Sequence, residues 1–352
     1  MAEEVWMLQT KKADFKQIGA RFRIDPVTAR IIRNRGIEGE AAIDRYLNGT
    51  LDDLYDPMLL KDMERAVSIL CEAVDTGKKI RIVGDYDIDG VCSTYILLQA
   101  FERLGSDVDF EIPDRIKDGY GINESIIEQA HADGVEVILT CDNGISAFHQ
   151  VELAKKYGMT VVITDHHEVP LDGEKEKIPP ADAVIDPKQA DCPYPFPEIC
   201  GAVVAYKLVQ VLYVRRGVPQ MEWLDLLEFA AIATVGDVMK LQDENRILVK
   251  YGLKKMAQTK NLGLRRLAEK NNLDLGAITA YHIGFVIGPC LNAGGRLKTA
   301  KEALALLRSQ SEEEAERLAE ELKELNDTRK DMTEQGTEAA KLQVESWYQI
   351  RC

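Results

Sequence analysis

Between positions 79 and 185, short apolar runs alternate with longer stretches in which apolar residues recur every three or four positions. The runs Lys79–Val83, Val108–Ile112, Glu136–Thr140, Thr160–Thr164 and Ala183–Ile185 read as strands, and Val91–Leu104, Asn123–Ala132 and Ile145–Tyr157 as the helices between them. Such a series closes right-handed into a parallel sheet with helices on both faces. Ahead of it, Val27–Arg35 and Glu40–Leu47 are short amphipathic runs, Leu51–Leu60 reads as a loop, and Lys61–Thr76 as a helix. Leu171–Pro180 reads as a charged loop, and Asp191–Pro197, with three Pro in alternation, excludes regular structure. Helices are then expected at Ala202–Arg215, Trp223–Val235, Leu248–Met256, Leu262–Lys270 and Ala300–Leu307. A last, largely polar helix runs from the cap Ser311 to about Tyr348, interrupted only by Gly336. The predicted fold class is α/β. A helical preface (1–78) leads to the parallel-sheet domain (79–190), a helical subdomain (191–310) and a long connecting helix (311–352).

The 352 residues carry a net charge of −15, which counts against broad, non-specific adhesion to nucleic acid but leaves room for a local basic groove. No apolar stretch reaches membrane-spanning length, and the N-terminus lacks the pattern of a signal peptide. Seven scattered cysteines without a CxxC pair argue for free thiols in a reducing cytoplasm and against structural zinc.

The chemistry gathers at the strand ends. The first strand runs into Asp85, Asp87 and Asp89, the second into Pro113-Asp114-Arg115, the third into Cys141-Asp142-Asn143-Gly144, and the fourth into Asp165-His166-His167. In a parallel sheet these ends share one edge, so the polar residues converge. Alone, each has a plainer reading: an acidic turn, an Asp-Asn-Gly turn, a capped histidine. Together they suit hard divalent ions, Mn²⁺ or Mg²⁺, and two such ions about 3.5–4 Å apart would activate water and clamp a phosphate. Asp237, after the apolar run Phe229–Val235, is a further candidate ligand or simply a turn residue. Arg115 sits where a guanidinium would meet a phosphate. Gly119 and Gly121 would let backbone approach a ligand, with Tyr120 able to stack on a base. Asn292-Ala-Gly-Gly-Arg-Leu297 reads as a Gly-rich turn presenting Arg296.

From about Ala29 to Val344 these motifs resemble the DHH phosphoesterase superfamily, named for Asp165-His166-His167, and within it the bacterial RecJ single-strand-specific exonucleases. The resemblance includes Ile32–Gly36, Leu54–Met63, Gly84–Gly90, Pro113–Asn123, Ala183–Lys188, Thr234–Asp237 and Gly288–Leu297. It implies two Mn²⁺ ions, with Mg²⁺ as the alternative. Asp87 and Asp89 would serve different ions and Asp142 bridge them. His166 and Asp237 would complete the second site, with Asp85 near the first. His167 would lie beside the scissile phosphate and Asp165 orient its neighbours. Arg115, Tyr120, Asn123, Asn292 and Arg296 would contact substrate. Five carboxylates against two divalent ions leave a near-neutral site that accepts an anionic phosphodiester.

The implied activity is a 5′→3′ exonuclease core acting on single-stranded DNA and releasing nucleoside 5′-monophosphates, in repair and recombination. A single-strand-binding protein and a helicase are the implied partners, with no membrane. Rivals are the other DHH substrates (oligoribonucleotides, nucleotide 3′-phosphates, cyclic dinucleotides) and a non-catalytic replication scaffold. Two departures stand out. Cys290 occupies a position where the family usually shows Arg, and the chain stops on the linking helix, short of the family's DHH-associated and oligonucleotide-binding domains, so it reads as truncated.

Overall fold

The computed structural model describes residues 7, 11–114 and 121–351, with side chains through 345. Its centre is a five-stranded parallel sheet of β1 (Ile80–Val83), β2 (Val108–Glu111), β3 (Val137–Cys141), β4 (Thr160–Thr164) and β7 (Ala183–Ile185), in the order β2-β1-β3-β4-β7. The registers Val83↔Glu111, Val83↔Thr140, Cys141↔Thr164 and Thr164↔Ile185 bring the carboxyl ends level. Backbone bonds carry this edge one step further, from Gly84 N–H to the Glu111 carbonyl, Asp142 to Thr164, and Asp165 to Ile185.

Successive strand residues serve opposite faces, as the pleat requires. Ile82, Leu139, Val162 and Ile185 pack beneath the helices Ile88–Arg103 and Gly201–Arg215. Val83, Ile138, Ile163 and Val184 pack beneath Glu124–Ala132 and Phe148–Lys156. Burial on both faces explains why the strands read as continuous apolar runs. At the opposite edge, Arg81 is held bidentately by Asp109 at 2.7 and 2.8 Å and also reaches Asp133 at 2.8 Å.

Several elements differ from the sequence expectation. The helix expected to begin at Val91 begins at Ile88, because Asp87 caps it by accepting the N–H groups of Asp89 and Gly90. The run Trp223–Val235 is two helices, Gln220–Leu224 and Leu227–Gly236, whose joint carries Asp225, pinned by Lys255 at 2.5 Å and Lys260 at 3.2 Å. A helix at Phe15–Phe22 precedes those expected. The loop 51–60 contains two 3₁₀ turns, and 171–180 holds the hairpin β5 (Leu171–Asp172) and β6 (Lys175–Glu176). The Gly-rich stretch expected as a turn is a helix, Gly288–Leu297. Its glycines serve close packing: a Cβ on Gly295 would lie 2.2 Å from the Tyr86 carbonyl oxygen. The final helix, Glu312–Arg351, runs through Gly336 without a break. Among the described residues no helix is long and apolar enough to cross a membrane.

The N-terminal helices dock on Asp243–Met256 through Arg45 to Asp243 at 3.0 Å and Lys250 to the Gly49 carbonyl at 3.1 Å. A fully buried pair, Lys207 and Glu244 at 3.0 Å, ties this region to Gly201–Arg215.

Candidate metal centre

The level strand ends set three carboxylate-bearing turns side by side. Asp85 follows Gly84 at the end of β1 and is buried, its Oδ1 lacking a hydrogen-bond partner among the described residues. Two residues on, Asp87 caps the helix that carries Asp89. That helix begins so close to Asp85 that a Cβ on Gly90 would lie 2.3 Å from the Asp85 carbonyl oxygen; only glycine fits there.

Asp89 points to the N-terminus of the helix Gly201–Arg215, where Oδ2 accepts the Gly201 N–H at 2.7 Å and Oδ1 the Ala202 N–H at 2.8 Å. Unsatisfied N–H groups and the positive end of the helix dipole suit an anion there.

Asp142 leaves β3 with φ of 61°, and this left-handed turn swings its carboxylate inward beside His166. Behind it the Asn143 amide donates to the carbonyls of Val83 at 3.0 Å and Cys141 at 2.9 Å, locking β1 to β3. His166 Nε2 lies 3.1 Å from Asp142, 3.4 Å from Asp89 and 3.9 Å from Asp237. Asp165 faces the other way. It accepts the N–H groups of Ile145, His166 and His167 and meets His167 Nδ1 at 2.7 Å.

Ligand-capable atoms of Asp85, Asp87 and Asp142 lie within 4.8 Å of one another, as do those of Asp89, His166 and Asp237, and those of Asp142, His166 and His167. Electrostatics agrees with this crowding. Burial, then Asp87, pushes Asp85 up to about 7. Burial, then Asp89, raises Asp87 and lifts Asp237 to about 7. Asp142 is driven well above the carboxylate range by burial and by Asp89 and Asp87. Burial holds His166 low, as the neutral imidazole a metal requires. Burial works against the charged forms of Asp165 and His167, yet their mutual bond holds Asp165 low and lifts His167 to about 8. Repelling buried carboxylates, a neutral imidazole and an orphaned Asp85 oxygen form a donor set that divalent cations neutralise.

Two open cavities flank the centre. One, of about 320 Å³, is lined by Tyr86, Asp87, Asp237, Val238, Asn292 and Arg296. The other, of about 240 Å³, is lined by Gly121, Asn143, Gly144, Gln150, Asp165 and His167. Arg296 is exposed at the first. The Asn292 oxygen accepts the Ile88 N–H at 2.8 Å, and the Asn123 oxygen caps its own helix by accepting from Ile126 at 3.0 Å. Each holds a helix start with the oxygen expected to meet substrate. Cys290 is buried, its thiol between Asn271 and Asn326. Arg115 and Tyr120 lie outside the described residues.

Sequence reasoning missed three contributors. Arg329, from the long helix, joins Arg296 and Asn292 around a small cavity of about 170 Å³. Nothing in a polar helix marks one arginine. The Gly201 and Ala202 amides lie more than a hundred residues from the carboxylate they hold. Asp186, at the end of β7, is fully buried, its Oδ2 unpartnered among the described residues, and is pushed to about 7 by burial and by Asp165. The strand-end rule that selects Asp142 and Asp165 selects it too.

Comparison with known proteins matches residues 79–234 to the DHH family, N-terminal domain. The single-stranded-DNA-specific exonuclease RecJ of Bacillus subtilis is 38% identical over 341 residues, covering 97% of this chain and 42% of that protein. The Escherichia coli protein of the same name is 37% identical, covering 89% and 54%. The chain thus spans about half the length of the curated relatives it matches. Among solved structures, exonuclease RecJ bound to manganese superposes with a TM-score of 0.70 at 35% identity, over 78% of this chain and 68% of that one. RecJ from Thermus thermophilus in complex with Mn²⁺ gives 0.75 at 32% identity, over 91% and 44%. A Mg²⁺ complex of the Thermus protein gives 0.65 at 30% identity, over 91% and 42%. A parallel sheet with acidic strand ends, a helical half that supplies Asp237, and relatives of this identity lead to one conclusion: the chain belongs to the RecJ family of DHH proteins.

Proposed function

We propose that the chain carries the catalytic core of a metal-dependent 5′→3′ exonuclease acting on single-stranded DNA and releasing nucleoside 5′-monophosphates. The observation that carries this reading is the pair of three-residue clusters, Asp85/Asp87/Asp142 and Asp89/His166/Asp237, each with two buried members and one half-buried, which meet at the 3.1 Å contact of Asp142 with His166. Each cluster would hold one divalent ion, with Asp142 between them. The imidazole donor favours Mn²⁺ over Mg²⁺. Such a pair would supply Lewis-acid polarisation of the phosphodiester and acidify a water.

The chain's own residues do the rest. Asp165 engages His167 Nδ1, so Nε2 is the atom turned toward a substrate phosphate, and the Asp165 carboxylate favours the protonated ring. Arg296, on the cavity wall beside Asp87, binds phosphate. Asn292 and Asn123 act by holding helix starts. The substrate class follows from the relatives named single-stranded-DNA-specific. Retention of all six ligand candidates disfavours a non-catalytic scaffold.

The test is mass-spectrometric product analysis with Mn²⁺, using a 5′-phosphorylated single strand, its duplex and a cyclic dinucleotide, with Asp142→Ala alongside. Stepwise nucleoside monophosphates from the single strand alone, lost in the variant, are expected. Cleavage of the cyclic dinucleotide alone would assign the core to another DHH substrate class.

A further inference from the structure

In a chain of net charge −15, residues 11–35 carry eight Lys or Arg against two Asp. Both acids are occupied as helix caps: Asp14 accepts the Gln17 N–H, and Asp25 accepts those of Val27 and Thr28. The bases form the exposed surface of the helices Phe15–Phe22 and Pro26–Asn34 and their flanks, with Lys12, Lys16, Arg21, Arg23, Arg30 and Arg35 all exposed. Nearby acids offset only part of this charge: Glu40 pairs with Arg21 at 2.7 Å and Glu38 with Arg33 at 2.5 Å. Arg30 stacks over the Phe15 ring at 4.5 Å, and Val27 and Ile31 stand beside it at 67% and 51% exposure. An acidic protein that concentrates exposed cations, a stacked guanidinium and apolar side chains on one pair of short helices has the makings of a nucleic-acid track.

Its location supports this. Gln242, five residues after Asp237, donates to the Arg35 carbonyl at 2.7 Å. Five extended residues span at most roughly 18 Å, and the Gln242 side chain adds a few ångström, so the end of the second basic helix lies within roughly 25 Å of Asp237. The third N-terminal helix, Glu40–Asn48, shares the apolar cluster of Ile18, Phe22, Ile32 and Ile43 with the basic helices and is joined to the body by Arg45–Asp243 at 3.0 Å.

We propose that the N-terminal helices form a phosphate-backbone platform that holds the part of a single-stranded nucleic acid lying outside the metal centre. This rests on the exonuclease reading for the identity of the strand, but the binding itself can be tested apart from hydrolysis.

The experiment compares the wild-type chain with the triple variant Lys16→Glu, Arg23→Glu, Arg30→Glu. All three side chains are exposed, and a thermal melt confirms that the variant folds. Binding of a long fluorescent oligothymidylate is followed by anisotropy against salt, with chelator present so that no cleavage competes. Three lost phosphate contacts should lower the slope of log K against log salt by about 2 and weaken binding at low salt by on the order of tenfold or more. With Mn²⁺, KM for the long strand should rise while kcat on a dinucleotide stays at the wild-type value. Unchanged affinity and slope would overturn the platform, as would equal losses on strand and dinucleotide. Absence of hydrolysis in the wild type would remove the exonuclease reading and leave the anisotropy comparison to judge the platform alone.

Discussion

Asn292 and Ile88 stand 204 residues apart in sequence and share one hydrogen bond, from the Ile88 N–H to the Asn292 side-chain oxygen at 2.8 Å. Through it the helical half of the chain holds the first turn of the helix that carries Asp87 and Asp89. Asn292→Ala should lower Mn²⁺ affinity and activity by about 10–100-fold while the fold persists, the size expected when a ligand-supporting group is lost. Metal titration calorimetry beside a thermal melt decides it. Unaltered metal affinity would show that the bond supports nothing at the centre.

Four carboxylates at the centre are raised by burial and mutual repulsion, so the metal-free protein holds an unfavourable cluster. Each Mn²⁺ ion at a hundred times its Kd should stabilise the chain by about 2.7 kcal/mol, a rise in melting temperature of roughly 4 °C per ion. Asp142→Asn should abolish that rise, yet melt no lower than wild type when metal is chelated. A lower metal-free melting temperature in this variant would contradict the repulsion argument.

Asp165 meets His167 Nδ1 at 2.7 Å, and in the proposed reaction it acts through that ring. In Asp165→Asn the His167 pKa should fall from about 8, because the carboxylate that raises it is gone. Imidazole NMR titration reads the shift directly. Turnover should drop by about 10²-fold or more at saturating Mn²⁺, with metal affinity changed much less. Equal losses in turnover and metal binding would make Asp165 a ligand instead.

Away from the centre, a cavity of about 630 Å³ is lined by Tyr95, Phe229, Lys255, Asn261 and the buried Glu228, whose pKa burial lifts to about 7. The folded-state pKa lies above the unfolded value. Glu228 is therefore best tolerated below about pH 4.5, and stability is lost as pH rises through 7. Against Glu228→Gln, which keeps the acceptor for Thr259, the wild type should lose roughly 3 kcal/mol between these limits. Denaturant melts across that pH range provide the measurement. A pH-independent difference would place the carboxyl's pKa back at its ordinary value.

The sheet and its acidic edge are legible because a parallel strand buried on both faces is a short apolar run, and whatever polar residue follows it must lie on the shared edge. That reasoning reaches Asp85, Asp142, Asp165 and, had it been carried to β7, Asp186. It does not reach Asp89's partners at Gly201 and Ala202, since nothing local in Cys200-Gly-Ala predicts a carboxylate at that helix start. Glycines mislead in the same way. Gly294 and Gly295 look like a chain reversal but sit inside a helix, because glycine also serves where backbones nearly touch. Asn292 was legible as polar and near the centre, while the direction of its oxygen depended on packing.

Asp89, held by the amides of Gly201 and Ala202, limits how this protein can be subdivided in the laboratory. A cut in the Pro-rich stretch 191–197 would separate the sheet, bearing five of the six candidate ligands, from the helix that orients one of them. Such a minimal fragment would also lack Asp237. The smallest unit that keeps the whole proposed ligand set therefore reaches past residue 237, and in a split-reporter design across that same break the two halves are expected to bind metal only on reassembly.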